Sequence, residues 1–70
     1  MMPLIVANLG EAVVIRKVGG SPEIKQHLAD LGFAVGATVT VVNSMGGNLI
    51  VNVKESRVAV SREMATKIMI

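Results

Sequence analysis

The spacing of hydrophobic and polar positions changes several times along the chain, and each change marks an element. Met2 to Leu9 is apolar but carries Pro3, which suits an edge strand or an extended lead-in. From Glu11 to Val18 the positions alternate, with Val13 and Ile15 on one face and Val14 and Arg16 on the other. Val18 stands an odd number of positions from Ile15, so a bulge near Arg16–Lys17 is expected to return it inward. Gly19–Gly20 ends this strand.

Ser21-Pro22-Glu23 then starts a helix: a hydroxyl cap, a proline at the first helical position and an acid at the positive end of the dipole. Ile24, Leu28 and Leu31 recur at spacings of four and three, a narrow apolar stripe that predicts a helix over Pro22–Leu31. Lys25, Gln26, Ala29 and Asp30 face away from that stripe. Gly32 is placed to close the helix in the left-handed conformation. Phe33 to Gly36 reads as a turn, and Ala37 to Val42 as a strand with Val39 and Val41 on one face.

Met45-Gly46-Gly47-Asn48 reads as a loop, followed by a strand in which Leu49, Val51 and Val53 alternate with Ile50 and Asn52. Lys54 to Arg57 is a polar turn before Val58-Ala59-Val60. Ser61 caps one short helical turn, and Lys67 to Ile70 is a last short strand. The chain is therefore expected to be a single, mainly β domain over residues 1–70: five short strands with one α-helix between the first and second. Closing the sheet into a small barrel would hide its edges.

Composition narrows the function classes. With 51% hydrophobic and 17% charged residues, whole-chain disorder is excluded. The chain has no cysteine, which removes disulfides, iron–sulfur clusters and thiolate zinc sites. A core this small gains little, so a closed sheet or a homo-oligomer is expected to support it. Phe33 is the sole aromatic residue, and the net charge of +2 is spread along the chain. Nucleic-acid binding, which needs clustered basic residues or stacking rings, is not expected, nor is a groove for proline-rich helices. The apolar opening Met1–Ala7 is far below the ~18–20 residues of a membrane span and lacks a basic leader, so a mature cytoplasmic chain is expected.

Leu28-Ala29-Asp30-Leu31-Gly32-Phe33-Ala34-Val35-Gly36 resembles the L-x-x-L-G-(apolar)-x-P-G helix-end motif of FeoA-type proteins. The resemblance extends through Gly10, Ile15 and Val18, then Val39 and Val41, Arg57 to Val60, and Ala65 to Ile70, so it covers nearly the whole chain. Val35 stands where the family usually has proline, Glu55 stands near a usual glycine, and Gln26 and His27 occupy positions where basic residues are common. The resemblance implies an SH3-like β-barrel. It also implies a cytoplasmic accessory role in ferrous-iron uptake, peripheral to the inner membrane through FeoB, the membrane protein with a GTPase domain that imports the ion. A second implication is a transition-metal-responsive regulatory domain, like the barrel at the C-terminus of iron-dependent repressors; no DNA-binding helix pair accompanies it in this chain.

Two sets of residues are candidates for chemistry. Glu23, His27 and Asp30 fall at helical spacings of four and three, and imidazole with carboxylates is an acceptable ligand set for Fe2+ or Zn2+. The plainer reading is a solvated face with weak ion pairs, and no cofactor is required for folding. Catalysis has no support: no Cys/His pair and no nucleophile elbow is present, and Gly19-Gly20-Ser21 lacks the lysine of a phosphate loop. The expectation is a binding protein, not an enzyme. Its partner surface would combine Lys25, Gln26 and Ala29 on the outer helix face with Met45 in the glycine loop and Arg57 at the rim.

Overall fold

The computed structural model describes residues 1–70. Its strands are β1 (Ala12–Val14), β2 (Lys17–Val18), β3 (Thr38–Met45), β4 (Asn48–Val53), β5 (Ser56–Ser61) and β6 (Ile68–Met69). Helix α1 spans Pro22–Asp30, α2 spans Arg62–Ala65, and a 3₁₀ turn covers Leu4–Val6. The order β1-β3-β4-β5 makes a four-stranded antiparallel sheet, and β2-β6 makes a second sheet of two strands. The mainly β, SH3-like architecture expected from the sequence is present.

The expected first strand is two strands. Ile15 N–H donates to Ala37 C=O at 2.9 Å, whereas Arg16 N–H donates to Met69 C=O at 2.8 Å. Adjacent residues thus bond to different sheets, and the chain bends where a bulge was expected. The bend turns Val18 toward the core, where it is half-buried. It also means that six strands replace the predicted five, and that no continuous ladder closes the barrel. The lead-in differs too: Pro3 bridges Met69, but Leu4–Val6 coils into the 3₁₀ turn so that Leu4 enters the core with no exposed surface.

Helix α1 forms as its sequence dictates. The Ser21 hydroxyl accepts from Ile24 N–H at 3.3 Å, Pro22 opens the helix, and Leu31 is its C-cap. Gly32 follows with φ of 103°, and a Cβ there would lie 2.6 Å from Val53 Cγ1. Both facts require glycine: the conformation is left-handed, and the helix end must touch β4. Phe33 N–H donates to Leu28 C=O at 2.8 Å, carrying the only aromatic ring into the core beside Leu28.

Two expected loops prove shorter. Met45 and Asn48 are paired, so only Gly46 and Gly47 form the hairpin, with φ of 54° and 86°. Two consecutive positive φ angles match the twist of the flanking strands, and glycine adopts them without strain. At the next hairpin Ser56 and Arg57 belong to β5, and the turn is Lys54–Glu55 with Lys54 at φ of 56°. A lysine holds the left-handed position here.

Twelve residues are buried, all apolar, and no buried side-chain polar atom lacks a partner. Val39, Val41, Leu49, Val51, Val53 and Val60 supply the sheet's inner face; Leu4, Ile15, Leu28, Phe33, Ala65 and Ile68 close the other sides. Ser61 caps α2 by accepting from Met64 N–H at 3.2 Å.

Truncating Leu28 to Ala should therefore destabilise the fold by roughly 2–5 kcal/mol in urea unfolding, while half-buried Leu31 should cost less, about 1 kcal/mol. Gly32→Ala should be at least as damaging as Leu31→Ala, because the new methyl meets Val53 in a strained backbone. Equal midpoints for Gly32→Ala and the parent would refute that contact.

Candidate functional site

The solvent-facing side of the larger sheet is where the structure gathers candidate binding residues. Ladder pairing fixes which side chains share a face. One cross-strand row runs Ala12–Thr40–Asn52–Arg57, another Asn43–Ile50–Ala59, and a third Met45–Asn48–Ser61. Arg57 carries the only charge in these three rows.

Met45 owes its place on this face to a bulge. Val41 pairs with Val51, but Asn43 pairs with Ile50, so Val42 is an extra residue and the register slips by one. Without the slip, continued alternation from Val39 and Val41 would aim Met45 at the core. With it, Met45 stands beside Asn48 on the outer face and is 61% exposed. The period break at Val42 is also why the sequence pattern ended this strand early.

The helix residues lie elsewhere. Lys25, Gln26 and Ala29 are exposed on α1, whose C-terminal end meets Val53 through Gly32. Met45 and Asn48 stand at the opposite end of β4, five residues or about 16 Å away along the strand. Met45 and Arg57 share the sheet's outer face, Met45 opposite Asn48 and Arg57 opposite Asn52 near the end of β4 that Gly32 meets, and Lys25, Gln26 and Ala29 are exposed on α1.

Glu23, His27 and Asp30 do not converge. No group of three or more His, Cys, Asp or Glu side chains is arranged to hold a metal ion. Glu23 and Asp30 are seven residues apart, about 10 Å along the helix axis, with His27 between them. Asp30 Oδ1 instead accepts from Gln26 Nε2 at 2.8 Å, and all of these side chains are exposed. The three side chains do not form a common ligand set in this arrangement, and all three are open to solvent.

Two shallow grooves flank the β2–β6 ribbon, and the sequence pattern had not marked them. One, of about 350 Å3, is lined by Met1, Lys17, Gly19, Lys67 and Met69. The other, of about 230 Å3, is lined by Met2, Val13, Val14, Arg16 and Ile70. Neither lining includes an acid. Lys67 is held along the glycine turn, since a Cβ on Gly20 would come within 3.2 Å of its Cδ. The signal available beforehand was the adjacent Arg16–Lys17 pair at the break in alternation.

No helix is long and apolar enough to cross a membrane. The fold and its sparsely charged sheet face define a small SH3-like β domain. Residues 2–70 match the FeoA domain family model, and the chain belongs to that family. A Methanocaldococcus jannaschii protein that carries the provisional name Fe(2+) transport protein A is 33% identical over 70 residues, all of this chain and 85% of that one. The crystal structure of an iron uptake regulatory protein (FeoA) superimposes with a TM-score of 0.89 at 26% identity, covering 97% of this chain and 92% of that one. The solution structure of FeoA from Chlorobium tepidum gives 0.88 at 26% identity, covering 97% and 67%.

The dispersed carboxylates generate a direct test. Chelator should leave the thermal midpoint of the purified protein unchanged. A loss of several degrees that ferrous or zinc ion restores would show a ligand set this geometry lacks.

Proposed function

We propose that this chain is an accessory protein of ferrous-iron uptake that acts by docking on the FeoB transporter and biasing its working cycle, with no chemistry of its own. The observation that carries the reading is the family match over residues 2–70, joined by a relative named for Fe(2+) transport that spans the whole chain. The surface is consistent with a binding role, because the exposed groups are a sheet face with an adaptable methionine and one arginine rather than a set of reacting side chains. Docking can alter a transporter only by favouring one of its states, since equal affinity for all states shifts nothing. The cytoplasm, at the inner membrane where FeoB resides, is the proposed location.

The docking face is the outer side of the sheet, centred on Met45 and Arg57. Met45 is flexible and polarizable and can fill an irregular apolar pocket, with Ile50 and Ala59 beside it. Arg57 supplies the charge for an acidic group on the partner. Lys25, Gln26 and Ala29 lie on the exposed face of α1 and would sit at the rim.

Titration against the cytoplasmic domain of FeoB, loaded in turn with GDP and a GTP analogue, and against the detergent-solubilised transporter, tests this. Met45→Asp should weaken binding by ~10-fold or more, and Lys25→Ala far less, because such interfaces concentrate on a few anchors. No binding in any form, with normal ferrous-iron uptake in a deletion strain, would end the accessory reading. Binding unaffected by Met45→Asp would keep the function and move the surface.

A further inference from the structure

The larger sheet has two edge strands, β1 and β5, and along β1 one row of backbone groups is left without a partner. In an antiparallel ladder, successive residues turn their N–H and C=O groups alternately toward and away from the partner strand. Ile15 N–H bonds to Ala37 on the β3 side, so Val13 faces β3 as well, and Ala12 and Val14 direct their backbone groups to the opposite edge. Arg16 N–H points to that same edge and is met there by Met69 C=O. Coverage by β6 stops at that point: Lys17 pairs with Met69 and Val18 with Ile68, while Ile70 exchanges its bonds with Met2 at 2.7 and 3.0 Å. Ala12 and Val14 are both exposed, Val14 to 46%.

The bare segment opens onto the apolar groove of Met2, Val13, Val14 and Ile70, with Arg16 on its wall. The sheet's other edge strand differs in kind. β5 carries Arg57 and is bracketed by Lys54 and Arg62, charges that discourage pairing. β1 has no charge within its three residues, Glu11 and Arg16 standing on either side of it, and its open edge lies beside an apolar groove.

We propose that the β1 edge at Ala12–Val14 accepts an extended segment of the transporter by strand addition. The segment would run antiparallel to β1, in line with β6, with apolar side chains at alternate positions for the groove and a carboxylate for Arg16. The inference rests on the accessory reading above and names the partner's chemistry. A polypeptide fits better than an anionic lipid surface. Lysines and methionines along the neighbouring groove could meet either, but unpaired amides and carbonyls at strand spacing are answered only by another backbone.

The test is residue-resolved amide exchange on the full chain, alone and with detergent-solubilised FeoB. In the free protein Val13 should be protected and Ala12 and Val14 should exchange fast; on adding the transporter, Ala12 and Val14 should slow by ~10-fold or more. Val14→Pro, which removes an edge donor that makes no bond within the chain, and Arg16→Glu should each weaken binding by ~10-fold or more. The exchange measurement needs no variant, so it decides the matter even if Val14→Pro fails to fold. Binding without protection of Ala12 and Val14 overturns strand addition and leaves the accessory role standing. Absence of any binding overturns that role and this inference with it. Protection by phosphatidylglycerol vesicles but not by the transporter assigns the edge to a lipid surface and also refutes the proposal.

Discussion

At Ile15–Arg16 one strand is hydrogen-bonded on both of its edges, and the rest of the molecule is arranged around that junction. Ile15 bonds to Ala37 and its side chain is fully buried; Arg16 bonds to Met69 and its side chain is exposed. One segment thereby serves two sheets. The junction ties both sheets to one core of twelve apolar side chains. It also stops the second sheet short of Ala12–Val14, which leaves both the open edge and the groove beside it.

Helix α1 is tied to this frame at both ends by glycine contacts. Gly20 admits Lys67 and Ile24 beside the helix start, and Gly32 admits Val53 at its end. Between them Leu28 is the one helix residue with no exposed surface. The helix therefore covers an end of the sheet with its narrow apolar stripe and turns its polar residues to solvent, where Asp30 is engaged by Gln26. A metal site on that face asks for convergence of Glu23, His27 and Asp30, which these side chains do not show. On the sheet, a single extra residue at Val42 decides that Met45 is a surface group.

Much of the fold was legible in the pattern. Helix α1 ends within one residue of its expected span, both serine caps act as read, and the inner face of β4 is Leu49, Val51 and Val53 as alternation requires. Less of the candidate site was. Strict period-two reading ended β3 at Val42, because a bulge reverses the faces beyond it, and residues after a reversal look like loop. Lys54 gave no sign of a left-handed turn, since lysine has no preference for it. The grooves around Arg16, Lys17 and Lys67 depend on β2 meeting β6, residues about fifty positions apart that no local pattern relates.

By itself, then, the sequence determined the class of fold, the helix with its limits, the apolar core and the family likeness. Each of these follows from local rules: periodicity, capping, and glycine where the backbone turns left-handed. Tertiary structure alone decided the split of the first strand, the outward turn of Met45, and the unpaired edge at Ala12–Val14. These are questions of which backbone groups find partners across long stretches of chain. A side-chain pattern records the face a residue prefers, but it does not record which edge of a strand is left unpaired.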